Sequence, residues 1–182
     1  MKPARFLKKQ RHCWRMMIAG LLIPGVLLSG AAGTVSAATP AADLNTVSER
    51  LRAYYLTVDF FGDGAVVEPC TVSRAGDYLA SQNRDGSWSD VDYTCTESAA
   101  NGLPWSPYLA LDRMQAMAVA YAKPDHPYYH DAAMLAGVER ALLHWKSVPG
   151  DPGKPGAEGP YSVNWWENGV GPQLRFGRIG LF

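Results

Sequence analysis

The sequence predicts an all-α protein, built of helical hairpins joined by long Gly/Pro-rich loops in the manner of a toroid or solenoid. Three observations carry this. Apolar residues recur three and four positions apart in successive segments bounded by cap and breaker residues. No segment alternates apolar and polar side chains as a half-buried strand would. The connections, rich in Gly and Pro, are longer than a compact bundle needs, and long loops between paired helices point to a toroid or solenoid whose loops carry the site.

Residues 1–37 are expected to lie outside that fold, as an export signal. Lys2, Arg5, Lys8, Lys9, Arg11 and Arg15 form a positive region without an acidic partner, and an apolar run over residues 16–28 follows, interrupted by Pro24. That run is too short and too broken for a permanent membrane span. Val35-Ser36-Ala37 supplies the small residues of a cleavage point. No Cys closes the run as in a lipoprotein, and no Arg-Arg pair marks the twin-arginine route. The expected address is secreted or periplasmic, with no stable membrane anchor. The segment holds six of the 17 Lys and Arg and none of the 17 Asp and Glu, so the remainder is net acidic. That argues against a nucleic-acid partner, which would call for a basic stripe.

A Thr/Ala/Pro linker over residues 38–42 leads into the helical domain, residues 43–182. Thr46-x-x-Glu49 reads as a capping box, and Leu44, Val47, Leu51, Tyr54, Tyr55 and Val58 recur at helical spacing until Phe60-Phe61-Gly62-Asp63-Gly64 ends the segment. A second, short helix is expected over residues 72–82. Ser106-Pro107 places an N-cap before a proline at the first helical position. Leu109, Leu111, Met114, Met117, Ala118 and Tyr121 line the apolar side of that helix, which stops at Lys123-Pro124. Asp125-His126-Pro127 restarts the chain, and Met134, Leu135, Val138, Leu142 and Trp145 mark one face of a longer helix ending at Val148-Pro149-Gly150. Gly150, Gly153, Gly156 and Gly159 fall on a three-residue period, too few triplets for a collagen-like helix, so residues 150–161 read as an irregular loop.

Asn164-Trp165-Trp166 is the most distinctive segment. Adjacent tryptophans cannot both enter one core from a regular helix or strand, so at least one is expected to face a cleft or the surface, where an indole face can stack on a pyranose ring. The alternative is one Trp in the core and the other over a loop. In Gln82-Asn83-Arg84-Asp85-Gly86-Ser87-Trp88 a helix ends, Asp85-Gly86 turns the chain, and Trp88 folds back; Gln82 and Trp88 then staple one turn of an αα repeat. Asn83, Asp85, Ser87, Asp90 and Asp92 lack the Gly and terminal Glu of a calcium loop, because Trp88 and Thr94 stand there. His126, His130 and His144 follow no metal-ligand pattern. Gly169-x-Gly171 lacks the third Gly of a dinucleotide loop, Leu174 standing in its place. Asp59, Asp63, Asp112 and Glu139 show no pairing that singles out a glycosidase dyad. No cofactor or metal is expected. Cys70 and Cys95 lack the paired spacing of a zinc site; in an oxidising compartment they can form one disulfide, which the entropic model credits with about 3 kcal/mol.

Three segments together resemble the N-terminal toroid of the family 8 polysaccharide lyases, the bacterial hyaluronate, chondroitin and xanthan lyases. They are Asp85-Gly86-Ser87-Trp88 continuing to Asp92-Tyr93, the helix from Arg113 to Tyr121, and Asn164-Trp165-Trp166 with the Gly-x-Gly-Pro and aliphatic helix after it. The resemblance implies that Asn164 hydrogen-bonds substrate and that Trp165 and Trp166 form an aromatic patch in the cleft. It implies an incomplete (α/α) toroid as the fold, a polyanionic polysaccharide as partner, a monomer at full length, and β-elimination at a uronic acid. In that chemistry an amide neutralises the carboxylate, a Tyr or His removes the C5 proton, and a Tyr protonates the leaving oxygen. The family's catalytic Asn, His, Tyr and Arg lie beyond the matching stretch, so no catalytic residue is assigned in this chain, which reads as the N-terminal part of a longer domain. Glu167-Asn168-Gly169-Val170-Gly171-Pro172 is one residue shorter than the family's pattern before its Pro, which leaves the start of the following helix open. A non-catalytic glycan-binding helical module is the alternative. The segment from Gly76 to Trp88 also looks like the Gln/Trp repeat of the terpene-cyclase toroids, but that reading requires further copies and an Asp-rich acid motif, and neither occurs.

Overall fold

The computed structural model describes residues 40–62, 69–97 and 104–182, all within the compact unit Ala38–Phe182. The expected export signal, and the linker up to Thr39, lie outside the described residues. Among the described residues six α-helices carry the fold: α1 (Pro40–Tyr55), α2 (Ala75–Ala80), α3 (Pro107–Ala122), α4 (Ala132–Ser147), α5 (Trp165–Gly169) and α6 (Gly171–Ile179). The described residues are mostly helical, as the sequence predicts. One small departure is an antiparallel ladder of β1 (Phe60–Phe61) and β2 (Cys70–Thr71), pairing Phe60 with Thr71 and Phe61 with Cys70. Two-residue strands are too short for alternation to register.

Helix α3 is the centre of the core, packed by α2, α4, α6 and the ladder. The sequence predicts one apolar side for it, yet nearly every position is buried, including Ala110, Ala116, Val119 and Ala120. Alanines on the remaining faces let neighbouring elements approach from all sides. Pro107 opens the helix as expected, but Ser106 does not cap it; its hydroxyl accepts a hydrogen bond from Asp92 N at 2.9 Å. Helix α4 is capped by Asp131, whose Oδ1 accepts from Met134 N at 2.8 Å.

The expected staple is present. Trp88 is buried and its Nε1 donates to the Tyr78 carbonyl at 2.9 Å, while Gln82 Nε2 donates to Gly137 O of α4 at 2.9 Å and Gln82 Oε1 accepts from Arg140. Gly86 turns the chain there with φ +92°, its Cα against the Arg140 carbonyl. The short helix expected over 72–82 is a 3-10 turn over Val72–Arg74 followed by α2.

Helix α1 differs most from expectation. It starts at Pro40, inside the expected linker, and Thr46 is not a cap: its Oγ1 donates back to the Ala42 carbonyl at 2.9 Å. Proline suits a first helical position, and alanines carry the helix on from there. None of its residues is buried, so Leu44, Val47, Leu51 and Tyr54 stay exposed despite their helical spacing. Its end meets α6, with Arg178 over the Tyr55 ring and Arg52 over Phe182.

Candidate functional site

The loops at the N-terminal end of α3 form one layer. Trp105 Nε1 donates to Cys95 O at 2.7 Å, Asp92 N donates to Ser106, and Val163 N donates to Thr96 O at 2.8 Å. The loop over 150–161 closes on itself and on the end of α4: Gly150 N donates to Ala157 O, Gly159 N donates to Val148 O, and Pro149 bridges Glu158. Gly159, at φ +91°, lies against the Trp145 indole, where a Cβ would not fit.

Helix α5 rises from this layer on a buried polar knot. Ser162 is fully buried; its Oγ contacts the Glu167 carboxylate and the Thr96 carbonyl and accepts from Asn164 N at 3.1 Å. Asn168 clasps the same residue, with Oδ1 accepting from Ser162 N at 2.8 Å and Nδ2 donating to Ser162 O. Glu167 is buried although acidic, and only a carboxylate with hydrogen-bond partners is tolerated there. Asn164 Oδ1 caps the helix by accepting from Trp166 N at 3.0 Å.

This knot holds both tryptophans outward. Trp165 is 72% exposed and Trp166 47%, with ring centroids 5.8 Å apart and planes at 83°. The pair therefore forms an aromatic corner in which each indole offers a separate face. Trp88, Trp105 and Trp145, by contrast, are buried, the last two edge to face at 6.2 Å. Part of the Asn164 side chain is spent on capping, which leaves its exposed amide nitrogen as the donor able to meet a ligand.

Helix α6 follows α5 after a break at Val170. Gly171 lies so close to the Tyr108 hydroxyl that no side chain fits, whereas Gly169 has open space around it, so close packing requires only the second glycine of Gly169-x-Gly171. Arg175 stacks on Tyr108 with its Cζ 3.8 Å from the ring centroid and donates from Nε to Asp112 Oδ1 at 2.8 Å.

Of the expected site residues, the structure brings Asn164, Trp165 and Trp166 together on α5. Cys70 and Cys95, which the sequence leaves able to form one disulfide, are both free thiols in this structure. Cys70 is buried in the core, where desolvation and the nearby Asp112 push its thiol up to about 11, and Cys95 Sγ donates to Glu97 O. Among the described residues, no group of three His, Cys, Asp or Glu is placed to hold a metal ion, and no helix is long and apolar enough to cross a membrane. The acidic loop is bound internally: Asp85 accepts from Ser87, and Asp92 from Thr94. Sequence reasoning missed Ser162, Glu167 and Asn168. The Asn164-x-x-Glu167 spacing, that of a capping box, was the available signal.

Residues 71–179 match the family described as polysaccharide lyase family 8, N-terminal alpha-helical domain. The chain belongs to that family. The match takes in the staple, the central helix α3 and the whole of α5 and α6. Chondroitinase-AC of Pedobacter heparinus is 27% identical over 95 residues, a stretch covering 52% of this chain and 12% of that protein. This family 8 chain thus spans only a small part of the length of the curated relative it matches. No solved structure matches it.

Proposed function

We propose that this chain is the cleft-bearing part of an exported polysaccharide lyase that breaks uronic-acid-containing polysaccharide by β-elimination, and that its share of the work is to hold the glycan. The observation that carries this reading is the aromatic corner: two indoles exposed at the surface on a helix that a buried Ser162–Glu167–Asn168 knot keeps in place. Exposing two tryptophans forgoes apolar burial, and a rigid support under them favours a ligand over chance. At 83° the two rings suit one sugar stacked on one face with its edge against the second ring. Asn164 Nδ2 would donate to a hydroxyl or carboxylate of that sugar. Family membership supports a polysaccharide as the ligand, and the positive, apolar segment over 1–37 supports export.

Elimination needs a group to neutralise the uronate, a base for the C5 proton and an acid for the leaving oxygen. None of these roles is assigned to a residue here. The test is equilibrium binding of chondroitin, hyaluronan and xanthan oligosaccharides to the chain, with Trp165→Ala and Trp166→Ala beside it. Each substitution is expected to weaken binding by about 1–3 kcal/mol, the range for an aromatic ring that stacks on a flat ligand. Unchanged affinity in both variants would remove the reading. Unsaturated product, read by its ultraviolet absorbance, is not expected from this chain by itself.

A further inference from the structure

A groove of about 490 Å³ opens in the same loop layer as the aromatic corner, between the chain over 87–94 and the last turn of α4 with Pro149. That volume falls in the range of small-molecule sites. Its wall is aromatic: Tyr93 and His144 meet edge to face, with centroids 4.6 Å apart and planes at 74°. Ser89, Asp92, Thr94 and Ser147 also line it; Thr94 Oγ1 donates to Asp92 and Ser147 Oγ to His144 O, which leaves these hydroxyl oxygens as acceptors. Thr94 is two residues from Thr96, whose carbonyl holds Val163 beside Asn164, so this strip of chain spans at most about 7 Å. Groove and corner are thus close enough for one oligosaccharide to reach both.

The charges around the groove have a definite sign. Asp85, Asp90 and Asp92 all belong to its loop. Arg113 is committed to Asp90, with two hydrogen bonds of 2.7 and 2.5 Å, His144 stands 3.6 Å from Asp85, and Lys146 pairs with Glu158 at 3.5 Å. Asp92 has no cationic partner among the described residues; hydrogen bonds from Thr94 hold its carboxyl below the usual range and keep it ionised. A uronate entering here meets like charge, whereas a neutral ring offers hydroxyls to a carboxylate and carbon faces to Tyr93 and His144.

We infer that this groove is a second glycan subsite, taking an uncharged sugar ring of the polysaccharide that stacks on Trp165 or Trp166. The inference rests on the reading of the corner given above. In a polymer that alternates uronic acid with an uncharged sugar, such a subsite selects which ring type reaches the corner, and so sets the register of the chain.

The experiment titrates the full chain with an unsulfated chondroitin disaccharide and octasaccharide, and with an all-uronate octasaccharide. Ser147→Trp fills the groove from an exposed position. It is expected to cost about ten-fold in affinity for the chondroitin octasaccharide, about 1.4 kcal/mol, and to leave the disaccharide shifts on the tryptophan side chains unchanged. The all-uronate octasaccharide is expected to bind about ten-fold more weakly than the chondroitin one. Asp92→Asn, which keeps the oxygen that accepts from Thr94, narrows that gap. Octasaccharide affinity within about two-fold of the unaltered chain in Ser147→Trp, or equal affinity for the two octasaccharides, overturns the subsite while the corner stands. Trp165→Ala and Trp166→Ala that leave every ligand unaffected overturn the corner itself, as does an unaltered chain that binds no octasaccharide.

Discussion

Arg175 on α6 donates from Nε to Asp112 on α3 at 2.8 Å, and both side chains are about nine-tenths buried. The guanidinium also lies on the Tyr108 ring and donates to Gly171 O at 3.3 Å, while Asp112 accepts from Gln115 Nε2 at 2.9 Å. One polar cluster therefore sets the seating of α6, and through α6 the place of α5 with its exposed tryptophans.

Removing one partner of that pair should cost far more than removing both. Asp112→Ala takes a hydrogen-bonded anion away from the buried Arg175 and is expected to lose about 3–5 kcal/mol in urea unfolding. The double change Asp112→Ala with Arg175→Met is expected to recover part of that loss. Equal stability of Asp112→Ala and the unaltered chain would show that the pair does not hold α6.

The two classes of tryptophan should separate in a thermal melt. Trp88→Ala removes a buried ring and its hydrogen bond to Tyr78 O, and about 3–5 kcal/mol of stability should go with it. Trp165→Ala and Trp166→Ala remove rings with large exposed areas and should shift the melting temperature little. A large loss at both exposed positions would mean that these rings pack against something in solution.

Glu167→Ala strips the buried Ser162 hydroxyl of its carboxylate acceptor and is expected to cost about 1–3 kcal/mol. Tryptophan fluorescence should report greater mobility of Trp165 and Trp166 in that variant. An unaltered emission and quenching profile would show that the knot does not position the corner.

The thiols should differ in reactivity. Burial raises the Cys70 thiol to about 11, so in native protein at mildly alkaline pH an alkylating reagent is expected on Cys95 and on Cys70 only after denaturation, as read by peptide mass mapping. The same shift carries a sign for stability. The unfolded thiol ionises near its ordinary value while the folded one stays neutral, so this contribution is present below the unfolded value and is lost as pH rises through the folded one. Alkylation of Cys70 in native protein would contradict its burial.

Acid should weaken the loop over 85–92. A hydrogen bond from Arg113 lowers the Asp90 carboxyl, and bonds from Ser87 and Thr94 lower those of Asp85 and Asp92. Their contribution is present above the unfolded carboxylate value and is lost as pH falls through the lowered folded values. Asp90→Asn should flatten the acid limb of stability against pH; an unchanged limb would mean that the Arg113 pair contributes nothing measurable.

Except for α5, which the sequence reading did not assign as a helix, the helices, breaks and turns were legible because they depend on neighbours in sequence. Pro107 opens a helix, Val148-Pro149 ends one, and Asp85-Gly86 turns the chain, all through local backbone preference. Family membership was legible too, in the Trp88 staple and the Asn164-Trp165-Trp166 segment. Helical spacing could not tell which apolar stripe is covered: Leu44, Val47 and Leu51 repeat as regularly as Met114 and Met117, yet the first set is exposed and the second buried. That choice is made by which elements pack against a helix. Likewise Asp112 and Arg175, which are 63 residues apart, and the clasp of Thr96, Ser162 and Glu167 come together only when the chain closes on itself. Local conformation is encoded within a few residues, whereas the pairing of buried charges and the outward setting of Trp165 and Trp166 depend on long-range contacts that no short stretch of sequence contains.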